Sequence, residues 1–370
     1  MPNTPHLPFS DLVAALPATI PFIAPEAIER QRGRRFSARL GANESLFGPS
    51  PSALDAMRAA LSDVALYGDP ESMDLRNALA AHEHIEPERI IVGSGIDDLL
   101  GVFVRILLNP GDRAVASLGS YATFAYHVSG YGAQIVPVPY QEYRNDLDKL
   151  AETAHRVKAR IVYVANPDNP TGSYRPPNDV ALLLDHLPDD CALLLDEAYA
   201  EFTPDTFGSL TSSNDARLIR LRTFSKAYGM AGVRIGYAIA SLDVARMSDK
   251  VRNHFGVNRI AQAGALAALH DQEYLNMIVR EVARGRDEYA TLARDLGMSP
   301  LPSAANFVAI DTGSADRARA IVRELAERDI FIRAPTIDGL NQLVRVTVGD
   351  VERRERFATA FREACVALGA

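Results

Sequence analysis

Tryptophan is absent from this chain of 370 residues, and cysteine occurs only twice, at Cys191 and Cys365. Two cysteines with no metal-ligand spacing around them exclude a disulfide-stapled fold and a cysteine-based zinc module. A reducing cytoplasm fits that usage. Positive charge is also short: 39 Lys and Arg stand against 47 Asp and Glu, for a net charge of −8. A nucleic-acid footprint needs clustered cations, and the local group Arg30, Arg32, Arg34 and Arg35 reads as a solvated turn instead. No stretch approaches the roughly 18 apolar residues of a membrane-spanning helix. Met1 to Leu16 is broken by Pro2, Pro5 and Pro8 and has no basic leader, so no signal peptide is expected.

What remains is a well-mixed composition, 47% hydrophobic and 23% charged, which belongs to a globular chain able to bury a sizeable core. Its length calls for two units. Val-, Ile- and Leu-rich runs recur at Arg89–Val92, Arg113–Ser117, Gln134–Val138, Arg160–Val164, Ala192–Leu195, Leu218–Arg222 and Ile235–Ala240. Helix-length segments lie between several of them: Ile96–Leu108, Tyr121–Tyr131, Asp146–Val157 and Asn178–His186. Continuous apolar strands alternating with helices predict an α/β fold with a mostly parallel seven-stranded sheet covered on both faces. After Asp243 the pattern turns to long helices, then to short strands and helices. The expected division is a large domain over 46–250 and a smaller α+β domain made from 1–45 and 251–370. A ligand is expected beyond the carboxyl ends of the large-domain strands.

Chemistry-bearing residues fall at those ends. Thr223-Phe224-Ser225-Lys226-Ala227-Tyr228-Gly229 follows the sixth run, with Arg234 shortly after. A lysine at a strand end, flanked by hydroxyls, can form a Schiff base while its neighbours hold a phosphate. Taken alone, a Ser-Lys pair is usually a surface loop. The fifth run, however, ends in Asp196-Glu197-Ala198-Tyr199, which puts a carboxylate and a phenol at the same edge. Asp196 alone would read as a helix cap, and Asn166-Pro167-Asp168-Asn169-Pro170-Thr171-Gly172 alone as a turn. Upstream, Ile90-Ile91-Val92-Gly93-Ser94-Gly95 runs into Ile96-Asp97-Asp98, a strand, glycine loop and helix start suited to an anion. Neither GxGxxG nor a Walker lysine is present, so a small phosphorylated cofactor fits better than a nucleotide.

The ordered set Gly93-Ser94-Gly95, Tyr121, Asn169-Pro170-Thr171-Gly172, Asp196-Glu197-Ala198-Tyr199, Ser225-Lys226 and Arg234 resembles fold-type I, pyridoxal-5'-phosphate (PLP) dependent aminotransferases. Within them the chain looks most like the histidinol-phosphate aminotransferase subgroup. The likeness runs from Ala42-Asn43-Glu44 to Val344-Arg345-Val346-Thr347-Val348-Gly349. It implies that Lys226 is the Schiff-base lysine, that Asp196 pairs with the pyridine nitrogen, and that Asn169 and Tyr199 bind the ring oxygen. Tyr121 would stack on the ring. Gly95, Ile96 and Asp97 would hold the phosphate through their backbone, with Ser225, Arg234 and a Tyr67 reaching across from the second subunit of a homodimer. Arg345, Arg333, Asn43 and Phe22 would face the substrate, an amino donor exchanged with a 2-oxo acid such as 2-oxoglutarate.

Three positions depart from the subgroup. Phe22 replaces a frequent tyrosine that helps bind substrate phosphate, Gly68 follows Tyr67 where proline is usual, and His254 replaces a common proline. They leave two neighbouring activities open: aromatic amino-acid transamination, with Phe22, Phe255 and Tyr121 lining an apolar pocket, and threonine-phosphate decarboxylation. A PLP-binding regulator is not expected, because the segment before Asn43 is too short for a helix-turn-helix.

Overall fold

The computed structural model describes residues 7–18, 24–203 and 215–369; Phe22 therefore lies outside the described residues. Among the described residues, seven strands form the main sheet: β2 (Ile90–Gly93), β3 (Arg113–Ser117), β4 (Gln134–Val138), β5 (Ile161–Ala165), β6 (Ala192–Asp196), β7 (Leu218–Thr223) and β8 (Gly236–Ile239). Their order is β2-β8-β7-β6-β5-β3-β4. Only β8 runs against its neighbours β2 and β7; the other pairs are parallel. Six strands thus end at one edge, and the loops after β2, β3, β5, β6 and β7 collect there.

Alternation within the strands builds both faces. Tyr163, Ala165, Leu194 and Leu221 join one buried cluster with the helices Ile96–Leu107 and Ala122–Gly130, while Val162, Val164, Leu193 and Leu195 join another with the helices Leu147–Val157 and Pro177–Asp185. This is the two-faced burial that continuous apolar runs require. Arg220 and Arg222 sit inside β7 and are buried nonetheless. Buried charge has to be paired. Arg220 meets Glu197 at 3.0 Å, and Arg222 meets Glu197 at 3.2 Å, Glu83 at 3.4 Å and Glu201 at 3.3 Å.

Two small sheets use the two ends of the chain. β1 (Ala38–Arg39) pairs in parallel with β11 (Ile330–Phe331), and β10 (Phe307–Asp311) lies between β9 (Ser299–Pro300) and β12 (Leu343–Thr347) in an antiparallel sheet. The helix Gln272–Asp295 packs on β9 and β10, and the helix Arg259–His270 packs on the helices Pro51–Ala60 and Met73–Glu83. Side-chain caps mark several helix starts, among them Ser50, Asp146, Asn258, Ser314 and Asp350. Three helices before the main sheet, Pro25–Arg32, Pro51–Ala60 and Met73–Glu83, add to the elements expected from the sequence.

Candidate active site

The loops at the carboxyl edge enclose a cavity of about 220 Å³, which adjoins an outer cavity of about 630 Å³. Lys226, Tyr121, Asn169, Tyr199 and Glu44 line both. Asp196, Ile96, Asp97, Ser225 and Arg234 line the inner one, and Asn43, Arg333 and Arg345 line the outer.

Asp196 ends β6, between Ala165 of β5 and Leu221 of β7. It is buried, and its carboxylate accepts a bond of 2.6 Å from the Tyr163 hydroxyl and one of 3.0 Å from the Ala198 amide. Burial pushes its carboxyl up to about 6, against those two donors, which favour the charged form. Tyr163 is a residue that sequence reasoning missed. The signal was a hydroxyl-bearing aromatic in an otherwise aliphatic strand, because a buried tyrosine hydroxyl needs a partner.

Lys226 follows β7 through Phe224 and Ser225, where the Ser225 amide donates to Thr223 Oγ1 at 3.0 Å and turns the chain. The lysine Nζ lies 5.7 Å from the Tyr199 ring centroid. Burial, joined by the positive charge of Arg345, brings the amine down to about 8, while Glu44, Asp97 and Asp196 oppose that shift. A lysine with that value is partly unprotonated near neutrality, as a nucleophile or proton carrier must be. Tyr199 is buried, with its phenol pushed up to about 12, so it keeps its proton.

Asn169 rides on a turn tied by the buried Asp168, whose carboxylate accepts from the Thr171 amide at 3.0 Å, the Thr171 hydroxyl at 2.8 Å and Tyr140 at 3.0 Å. Asn169 Oδ1 accepts from Arg345 Nη1. Arg345, in β12, also donates to the Gly41 carbonyl at 3.2 Å, and its backbone is bridged to that of Arg333. Burial lowers both guanidiniums from their ordinary value, which sharpens their demand for an anion.

The glycine loop is open to a ligand. Gly95 begins the helix Ile96–Leu107 with φ 92° and no side-chain cap, leaving first-turn amides free of a competing side chain. Arg234 crosses above it, donating to Ser225 Oγ at 3.4 Å and lying 3.5 Å from Asp97. Tyr121 donates to Asp97 at 2.8 Å. Tyr67 stands apart from both cavities: its side chain is exposed and rests against Phe255 at 4.7 Å between ring centroids. Phe255 likewise lines neither cavity, so the apolar pocket expected from Phe22, Phe255 and Tyr121 is not assembled from the described residues of this chain.

Residues 38–361 match the family described as aminotransferase class I and II. The chain belongs to that family. It is 38% identical over 361 residues to the histidinol-phosphate aminotransferase of Roseiflexus castenholzii, covering 95% of this chain and 96% of that one. It is 36% identical over 344 residues to histidinol-phosphate aminotransferase 2 of Carboxydothermus hydrogenoformans, covering 90% and 92%. Among solved structures, histidinol-phosphate aminotransferase from Sinorhizobium meliloti in complex with pyridoxal-5'-phosphate superposes with a TM-score of 0.95 at 45% identity, covering 99% of both chains. Aspartate aminotransferase from Thermus thermophilus with maleate shares the fold, with a TM-score of 0.78 at 23% identity over 96% of this chain and all of that one. Fold-type I architecture and aminotransferase class are thereby established for this chain. No helix among the described residues is long and apolar enough to cross a membrane.

Proposed function

We propose that this aminotransferase uses PLP to move an amino group from L-histidinol phosphate to a 2-oxo acid, with 2-oxoglutarate the best match. The observation that carries the substrate is the pair Arg333 and Arg345 on the cavity that shares Lys226. Two guanidiniums can take the phosphate of one substrate and the carboxylates of the other, since a planar fork suits both anions. The named relatives support the same donor.

The residues fit the cofactor on three observations. An uncapped helix start at Gly95, with Ser225 and Arg234 beside it, suits a phosphate. Asp196 is a buried carboxylate whose direct partners are a phenol and an amide, and its raised carboxyl leaves room for a cationic ring nitrogen. The Lys226 amine is brought down toward neutrality in the same cavity. Bound there, PLP would supply a reactive carbonyl carbon and a ring able to take up the electron pair left when an α-proton departs. Asp196 would keep the ring nitrogen protonated, and Asn169 and Tyr199 would donate to the ring oxygen. Tyr121 would lie over the ring, and Gly95, Ile96, Asp97, Ser225 and Arg234 would hold the phosphate. Lys226 would move the substrate's α-proton as general base and acid. The two half-reactions give ping-pong kinetics.

We further propose a homodimer in which Tyr67 completes the partner's phosphate site. Tyr67 is 79% exposed and rests on the exposed Phe255, and Leu61, Val64 and Leu66, shortly before it in the chain, are exposed as well, apolar surface of the kind an interface covers. The division into 46–250 and 1–45 with 251–370 is supported by the confinement of the main sheet to residues 90–239, with the helix Arg259–His270 crossing it to pack on the large unit. A cytoplasmic setting fits the two buried, unpaired cysteines.

The test is a titration of PLP-loaded protein with L-histidinol phosphate and no 2-oxo acid, following the visible cofactor band. Loss of the band with pyridoxamine phosphate appearing supports the donor. A band that L-histidinol phosphate leaves unmoved and L-phenylalanine bleaches moves the assignment to aromatic donors, and carbon dioxide release from threonine phosphate moves it to decarboxylation.

A further inference from the structure

Asn43 stands where the N-terminal segment, the three-stranded sheet and the loop after β6 meet. It is 2% exposed, with φ 55°. Its Nδ2 donates to the Tyr199 hydroxyl oxygen at 2.9 Å. Its Oδ1 accepts from Thr347 Oγ1 at 3.3 Å, and its own amide donates back to that oxygen at 3.0 Å. Asn306 Nδ2 holds the Asn43 carbonyl at 3.1 Å. The resemblance implies that Asn43 faces the substrate; it lines the outer cavity with Arg333 and Arg345, and its side-chain polar atoms bond Tyr199 and Thr347.

The hydroxyl of Thr347 fixes which way the Asn43 amide points. Having accepted the Asn43 N–H, it offers its proton to Oδ1, and Nδ2 is left to face Tyr199. A phenol has one proton and accepts through its lone pairs. Because Tyr199 accepts from Asn43, its proton is not directed at Asn43 and is available to the cavity that Lys226 and Asn169 also line.

Resting on the cofactor reading above, we propose that Asn43 is a positioning residue for transamination: by donating to Tyr199 it turns the phenolic proton toward the ring oxygen of bound PLP. A donor at that oxygen stabilises its negative charge and so lowers the affinity of the neighbouring lysine-bound nitrogen for a proton. Asn43 acts on that nitrogen only through Tyr199, which separates this role from mere packing.

The experiment is a pH titration of the visible band of the PLP-loaded protein in a mutant cycle. Asn43→Gly removes the amide while tolerating the left-handed backbone, and Thr347→Val removes the hydroxyl that orients it. Each is combined with Tyr199→Phe. Asn43→Gly should raise the midpoint by about half a pH unit or more, Thr347→Val should raise it less, and neither should move the midpoint of the Tyr199→Phe protein further. A midpoint unchanged in PLP-loaded Asn43→Gly, or a shift that adds in full on the Tyr199→Phe background, overturns the proposal and leaves the cofactor reading standing. Should Asn43→Gly not fold, the Thr347→Val cycle decides by the same criterion. Absence of a visible band in the wild-type protein with added PLP brings down the cofactor reading and this inference together.

Discussion

Tyr163 and Asp196, on adjacent parallel strands, share a hydrogen bond of 2.6 Å between phenol and carboxylate, with both side chains buried. β5 and β6 pair Ala165 with Asp196 and Tyr163 with Leu194, so the phenol stands one step back on the same face and reaches forward to the carboxylate. The stacked Phe124 ring, 4.6 Å away, keeps it there. Asp196 is thus aimed into the inner cavity by a neighbour rather than by its own rotamer alone.

Tyr163→Phe should therefore weaken cofactor binding. A hydrogen bond to a charged group contributes about 1.5–3 kcal/mol, which is roughly 10- to 100-fold in the PLP dissociation constant. Equilibrium dialysis of apo protein against PLP measures it; a change below threefold would mean that the Ala198 amide suffices.

The lowered Lys226 amine gives a pH signature. The unprotonated amine is the nucleophile, so the rate at which apo protein takes up PLP as a visible band should rise with pH and level off near the value of about 8 brought about by burial. An unperturbed lysine would keep gaining rate to about 10.4. Stopped-flow absorbance across that range distinguishes the two, and Lys226→Ala should show neither the band nor turnover.

Gly95→Ala tests the phosphate loop. The added methyl would lie 2.5 Å from Arg234 Nη2, and φ of 92° with ψ of 172° is a backbone state reserved for glycine. A residue held there costs about 1–3 kcal/mol, so thermal unfolding should shift down and PLP affinity should fall because Arg234 is displaced. Unchanged affinity would separate the loop from the phosphate.

Arg345→Lys keeps the charge and removes the fork that now engages Asn169 and the Gly41 carbonyl. Loss of one charge-assisted bond corresponds to about 1.5–3 kcal/mol. The KM for both donor and 2-oxo acid should rise about 10- to 100-fold, with little change in the visible spectrum of the loaded enzyme. A spectrum that changes as strongly as KM would assign Arg345 to the cofactor instead.

The sequence alone determined the sheet, because short apolar runs alternating with helix-length segments fit strands buried on both faces; each of the seven expected runs overlaps an observed strand. It also determined the order of the cofactor motifs, since each sits directly after a run and parallel strands bring their carboxyl ends to one edge. Tertiary structure alone decided the partners of those motifs. Tyr163, Asn43 with Thr347, and the Glu83–Glu197–Glu201 set around Arg220 and Arg222 pair residues remote in the chain, and neither apolar periodicity nor local spacing registers a contact made across strands. The arginines inside β7 show the reason: a charge is tolerated in a buried strand only when opposite charge arrives from elsewhere, and that arrival is a property of the fold.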